Sequence, residues 1–255
     1  MYLDHVALAT RDAQPTIDTL VAELGGTLIT GAHAVGFKPL HVRMGDATAG
    51  MMIELLEPYA VEQADFLERF LQSRGEGVHH LTLKSPDLRA ELERLLAAGF
   101  SPVNVSVDGP DWKELFLTPK EAHGTVVQLT EGGYLFPSFA EQFAHAREHG
   151  PWTQPQWWTD PPPRAEPPTY LHRIVVRTPS LDDTVAFYTD VLRATVDADT
   201  GSRTTPMVDV VWGDRGRVGL ELDRTGAPGV ARLELTGPGP ARRLTLAGTE
   251  FVIEP

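Results

Sequence analysis

Three histidines recur along this chain, each followed at nearly one spacing by a carboxylate or an amide. His5 stands 49 residues before Glu54, His80 stands 48 before Gln128, and His172 stands 49 before Glu221. Each pair runs from the first strand-like segment of a repeating block to its last, so one shared register is expected. Imidazole nitrogens, carboxylates and amide oxygens are donors for a divalent cation. The chain has no cysteine, which removes thiolate metal sites, disulfides and a cysteine nucleophile. If the first two blocks pack as pseudo-twofold halves of one sheet, His5, Glu54, His80 and Gln128 reach one concave face from four strands. That N2O2 set leaves open positions for water or substrate, and it supplies the compensation that a buried carboxylate needs.

The segment "GEGVHHLTLKSPDL" places two histidines side by side in a strand, where neighbours point to opposite faces. Matching "DHVALAT" to "HHLTLKS" pairs His5 with His80, not His79. His80 then shares a face with Thr82 and Lys84 and is expected to look at the metal. His79 is expected at the strand edge or at a domain contact.

The elements that carry these residues repeat. Leu3 to Ala9 alternates as a half-buried strand, and Ile17, Leu20, Val21 and Leu24 form a helical stripe stopped by Gly25-Gly26. Strands follow over Leu40–Met44 and Met51–Leu56 across "GDATAG", with one more strand expected within Thr27 to Phe37. A connecting amphipathic helix, with Phe66, Phe70 and Leu71 on one side, leads to the second block. There a strand over His80–Lys84 is followed by Ser85-Pro86 as N-cap and N1 of a helix carrying Leu88, Leu92 and Leu95. "KELFLTP" and "GTVVQLTE" complete that block.

Seven prolines in "PWTQPQWWTDPPPRAEPPTY" make a stiff connector whose three tryptophans are expected to pack it onto the domains. A third block follows, with His172–Arg177, a helix bearing Leu181, Val185, Tyr188 and Leu192, then "MVDVVWG" and "RVGLELDR". The fourth, from "GVARLELTGP" to "TEFVIEP", is too short for a helix. The expected organisation is an α+β chain: a metal-binding domain over 1–150, a Pro/Trp-rich linker over 151–169 and a degenerate domain over 170–255.

With 255 residues, of which 42% are hydrophobic, the chain can bury a sizeable core. Apolar runs fall short of the ~20 residues of a membrane span and strand-like alternation begins at Leu3, so a cytoplasmic protein without membrane contact is expected. A net charge of −13 repels phosphate backbones and argues against nucleic acid as a partner. No phosphate-cradling glycine loop or nucleotide fingerprint is present, so no nucleotide cofactor is expected.

"LDHVALAT", "IELLEP", "GVHHLTLKSPD" and "FLTPKEAHGTVVQL" together resemble the vicinal oxygen chelate (glyoxalase/bleomycin resistance/dioxygenase) superfamily. Within it, residues 3 to 131 look most like methylmalonyl-CoA epimerase and, more distantly, lactoylglutathione lyase. The second half is similar only in "YLHRIVVRTPSLDDTVAFYTDVL" and "VGLELDR". The resemblance implies tandem βαβββ modules in two half-barrel domains, with the last module truncated. It implies one divalent metal ion (Zn, Ni, Co, Mn, Fe or Mg) on His5, Glu54, His80 and Gln128. The implied chemistry is an isomerase, epimerase or lyase that moves a proton next to a metal-bound carbonyl or enediolate of a small oxygenated substrate.

The epimerase's catalytic Glu has no counterpart in "TGAHAVGF", and Gln128 replaces the lyase's displaceable last-strand Glu. The base is therefore expected among Glu54, His41 and Glu114, with His33 a further candidate. In the second half Arg232 stands where His80 would be and the last strand offers only Glu250 or Glu254. That half is expected to hold no metal and to act as a structural partner, a homodimerisation surface or a lid. Two alternatives stand beside this reading: an extradiol-type dioxygenase, and a non-catalytic small-molecule (antibiotic) binding protein.

Overall fold

The computed structural model describes residues 1–110, 112–132, 139–150, 152–154, 162–199, 206–214 and 216–255. The first module contains β1 (Tyr2–Ala9), α1 (Gln14–Asp18), β2 (Thr27–Ala32), β3 (Phe37–Gly45) and β4 (Gly50–Pro58). Helix α2 (Phe66–Arg74) leads to the second module, made of β5 (Gly77–Lys84), α3 (Leu88–Ala97), β6 (Val103–Ser106), β7 (Trp112–Leu117) and β8 (Val127–Gly132). Helix α4 (Phe139–His149) and the short β9 (Trp152–Gln154) come next. The third module has β10 (Tyr170–Thr178), α5 (Leu181–Ala186), β11 (Thr195–Asp199), β12 (Met207–Val211) and β13 (Arg217–Leu222). The fourth keeps only β14 (Gly229–Thr236), β15 (Arg242–Leu246) and β16 (Thr249–Glu254), so it is truncated as its length implies.

The strands form two mixed, open sheets, in the orders β6-β7-β8-β5-β1-β4-β3-β2-β9 and β11-β12-β13-β10-β14-β16-β15. This is the α+β arrangement of tandem βαβββ modules. Two compact units interleave along the chain: residues 1–4, 80–134 and 173–232 form one, and residues 5–79, 135–172 and 233–255 the other. No helix among the described residues is long and apolar enough to cross a membrane.

In the first module the parallel β1–β4 pair sets Ala7 opposite Glu54, and the antiparallel β3–β4 pair sets His41 opposite Glu54. The other face of this sheet receives the helical segment. A Cβ added to Gly26, just past that segment, would stand 2.8 Å from Leu20 O, Val42 and Met44, so the chain there runs directly against the sheet. The stripe Ile17, Leu20, Val21 and Leu24 is buried as its periodicity predicts, although the helix changes from α to π winding over Thr19–Glu23.

On the face of Glu54, Ala7, Ala9 and Leu56 pack with Leu67 and Leu71 of α2, flanked by Phe37 and Phe70. The buried stripe of α2 is thus Leu67 and Leu71, one helical turn apart, while Phe66 is largely exposed.

Three further details depart from the sequence expectations. The cap of α3 is Asp87, whose side chain accepts Ala90 N–H at 2.9 Å, and not Ser85. Asp87 takes the extended conformation that an N-cap needs, with φ −148 and ψ 94. Strand β6 gives no alternation signal because all four of its residues are exposed. Of the proline-rich connector, Trp152–Gln154 adds an edge strand parallel to β2. The packing expected of its tryptophans lies outside the described residues.

The β3–β4 hairpin closes through "GDATAG". A Cβ on Gly50 would sit 2.0 Å from Met44 O, and φ there is +90, so only glycine fits. Asp46 caps the turn, accepting Thr48 Oγ1 at 2.7 Å, the amides of Thr48 and Ala49, and Tyr170 Oη at 3.1 Å. These donors, the Thr48 hydroxyl foremost, hold its carboxyl down at about 2.

Candidate metal centre

Glu54 is the centre of the first module's polar group. Strand pairing brings His41 beside it on β3, and His5, two residues before Ala7 on β1, onto the same face. His5 Nε2 lies 3.3 Å from Glu54 Oε2, and His41 Nε2 lies 3.4 Å from Glu54 Oε1. The imidazole rings meet edge to face with centroids 5.3 Å apart. All three residues are buried, with 2%, 5% and 7% exposure for His5, His41 and Glu54. Their donor atoms lie within 4.8 Å of one another, and no other such group of His, Asp or Glu occurs among the described residues.

His5 and Glu54 fit a divalent cation: two ligands each ~2.1 Å from one ion stand ~3.0–3.4 Å apart in octahedral or tetrahedral coordination, and His5 Nε2 and Glu54 Oε2 are 3.3 Å apart. With both imidazoles neutral the group carries one negative charge in a buried place, which a dication would compensate.

A β-bulge between Leu28 and Thr30 turns Thr30 toward His41, whose Nδ1 lies 2.9 Å from Thr30 Oγ1. The hydroxyl can donate to Nδ1, which leaves Nε2–H to face the Glu54 carboxylate. Sequence reasoning missed Thr30 because the bulge breaks the alternation that would have placed it.

The second module repeats the register. Thr82 stands opposite Gln128 as Ala7 stands opposite Glu54, so His80 occupies the position of His5. Phe116 stands opposite Gln128 where the first module has His41. His80 is buried, with its ring edge-on to Phe116 at 6.0 Å. Gln128 bonds Thr82 and Glu114, and Glu114 also accepts the Trp112 indole N–H. Thr82 was legible as a member of the His80 face, but its bond to Gln128 was not.

The structure gathers His5, His41 and Glu54 in one unit, and Glu114 and Gln128 with His80 in the other. His33 stacks on Tyr59 with centroids 4.3 Å apart and lies outside the first group. His79 packs edge-on against Phe70 of α2 at 4.7 Å and near Phe66 at 6.2 Å. Burial lowers its pKa and the charge of Glu54 works the other way.

In the third module the 49-residue spacing misleads. Arg177, not Ile174, stands opposite Glu221, so the position equivalent to His5 is Val175. His172 bonds Thr236 Oγ1 through Nδ1 at 3.1 Å instead. Spacing counts the loops as well as the strands, and only pairing sets register. Glu221 accepts Arg232 Nη1 at 3.0 Å and lies 3.6 Å from Arg177 Nε, so arginines already balance its charge.

Residues 4–116 match the family model described as Glyoxalase/Bleomycin resistance/Dioxygenase superfamily. A hypothetical protein from Staphylococcus aureus superposes with TM-score 0.64 at 11% identity, covering 99% of this chain and 98% of that one. A variant of Streptomyces coelicolor methylmalonyl-CoA epimerase in complex with 2-nitronate-propionyl-CoA gives TM-score 0.46 at 23% identity, over 52% of this chain and 99% of that one. The Mycobacterium tuberculosis methylmalonyl-CoA epimerase gives 0.46 at 25%, over 52% and 89%. No curated protein matches the sequence. The fold is shared along the whole chain with the staphylococcal protein, and residues 4–116 are similar to the Glyoxalase/Bleomycin resistance/Dioxygenase superfamily.

Proposed function

We propose that this chain is a divalent-metal-dependent isomerase, epimerase or lyase, moving a proton at the carbon beside a carbonyl of a small oxygenated substrate. The match of residues 4–116 to the superfamily model supports an enzyme or a binding protein, and the buried Glu54 between two imidazoles favours the enzyme. A metal-free binding cleft gains nothing from burying that carboxylate, which costs desolvation energy.

A bound dication would supply Lewis-acid stabilisation of the negative charge that develops on the substrate oxygen. His5 and Glu54 would hold it, and the equivalent register positions of His80 and Gln128 in the second module support the same role for them. Glu54 has a second task. Its Oε2 faces His5 while its Oε1 faces His41, so one oxygen can serve the cation and the other can take the substrate proton. His41, held by Thr30, keeps that second oxygen in place. The dioxygenase alternative finds no support in the third module, where Arg232 and Arg177 occupy Glu221.

The test is bound metal by mass spectrometry on protein purified without chelator or His-tag, for wild type and for His5→Ala, Glu54→Gln, His80→Ala and His79→Ala. About one equivalent is expected in wild type and in His79→Ala, and less than a tenth of that in the other three. A metal-free wild type that also refuses metal on reconstitution would leave the binding protein as the better reading. Solvent deuterium uptake into 2-oxo acids, 2-hydroxy ketones and acyl thioesters then identifies the substrate class.

A further inference from the structure

The second module holds its last-strand residue at both ends of an amide. Thr82 Oγ1 donates to Gln128 Oε1 at 2.7 Å, and Gln128 Nε2 donates to Glu114 Oε2 at 2.8 Å. The same Glu114 oxygen accepts Trp112 Nε1 at 3.1 Å. Strand pairing fixes all of these partners. Thr82 is opposite Gln128 across β5–β8, and Glu114 lies two residues from Phe116, which is opposite Gln128 across β7–β8. Gln128 is 6% exposed and Thr82 fully buried, so water is a poor substitute for either bond.

The two ends of an amide are nearly equal in shape and opposite in hydrogen-bonding character. A threonine hydroxyl does not discriminate between them, because it can donate to the oxygen or accept from the nitrogen. A carboxylate oxygen that already accepts an indole N–H can only accept again. Reversing Gln128 would set Oε1 against Glu114 Oε2 with no hydrogen between them. Glu114 therefore decides which way the amide lies, and Thr82 occupies only one of the two lone pairs on the oxygen so placed.

We propose that Glu114 is a positioning residue: it orients the Gln128 amide so that Oε1 is available to a divalent cation. This rests on the reading of Gln128 as a metal donor. It also changes the part expected of Glu114 from sequence, since its Oε2 is committed to two N–H donors and the substrate proton falls to Glu54. The relay explains how a neutral, reversible amide can stand where the first module has a carboxylate. Glutamate has two equivalent oxygens and needs no such orientation, whereas glutamine needs a charged neighbour to choose its end.

The experiment is titration of metal-free protein with Co2+, followed by visible absorption, together with the 1H–15N side-chain amide signals of Gln128 before metal is added. In Glu114→Gln the new amide can meet Gln128 with either end. Co2+ affinity should fall by about three- to tenfold, and the Gln128 amide protons should exchange faster with solvent. The double variant Glu114→Gln with Gln128→Glu exchanges amide and carboxylate, keeping the hydrogen bond while making the ligand independent of orientation. It should bind Co2+ at least as tightly as wild type, a rescue that a role limited to holding the strands together would not give. Unchanged Co2+ affinity in Glu114→Gln, or a double variant weaker than the single one, overturns the positioning role alone. A wild type that binds no Co2+ overturns the metal reading first and this inference with it.

Discussion

Thr30 reaches the site only through His41, whose Nδ1 lies 2.9 Å from its hydroxyl and whose ring it holds in orientation. A carboxylate can only accept, so Glu54 Oε1, 3.4 Å from Nε2, favours the tautomer with Nε2–H and leaves Nδ1 to accept from the Thr30 hydroxyl at 2.9 Å. Thr30→Val keeps the shape of the strand and removes the hydroxyl, so His41 loses the partner that holds its ring in orientation. Turnover in the proton-exchange assay should fall by about tenfold while bound metal stays near one equivalent, because His5 and Glu54 remain intact. Equal loss of metal and turnover would instead make His41 a ligand. That His5 and His80 hold equivalent strand positions, and Glu54 and Gln128 likewise, was legible in the sequence because alternation and pair spacing reflect one strand register in the first two modules. His41 was legible only as a histidine that reaches the site if β3 runs beside β4, which it does. Thr30 was invisible, since a bulge is set by pairing geometry that no periodicity records.

At the scale of elements, the β3–β4 hairpin is what sets His41 opposite Glu54, and Asp46 is what closes the hairpin. The folded state holds the Asp46 carboxyl at about 2, below its ordinary 3.8, chiefly through the Thr48 hydroxyl and amide. A carboxyl depressed on folding stabilises the protein above its unfolded value, and that contribution fades as pH falls from about 4 toward 2. Asp46→Asn should cost about 1 kcal/mol at pH 7, read as a lower thermal midpoint. The gap between variant and wild type should narrow by pH 2, and a gap independent of pH would assign the loss to packing. This turn was readable because glycine and aspartate have a specific mechanism in it. The cap of α3 was misplaced by two residues because Ser85, Pro86 and Asp87 are all good helix-start residues and only backbone conformation separates them. Strand β6, wholly exposed, offered no burial pattern to read.

At the scale of the whole molecule, the repeat is faithful in backbone and unfaithful in chemistry. The third module keeps the strand, helix and three strands of the first, including the π winding after its helix, over Phe187–Val191. It does not keep the pairing of histidine with acid. Pairing places Arg177 opposite Glu221 and Val175 where His5 and His80 stand in the first two modules. The matched spacing of His172 and Glu221 is therefore an accident of loop length, and it was the one place where counting residues substituted badly for register. Physical compensation follows the same division. Glu54 has imidazoles beside it and so can accept a dication, whereas Glu221 has the guanidinium of Arg232 at 3.0 Å and cannot without displacing it. Metal stoichiometry should accordingly be one per chain by native mass spectrometry, with a second equivalent lost on simple dialysis. Arg232→Ala removes the closer arginine and leaves Glu221 only Arg177, which is partly solvated and more distant. That variant should lose about 1–3 kcal/mol of stability in urea unfolding while still holding one metal, since Val175 offers no donor to replace the lost charge. Two tightly held ions in wild type, or a second one gained in Arg232→Ala, would mean that Glu221 is a ligand after all and that both halves of the chain are metal-binding.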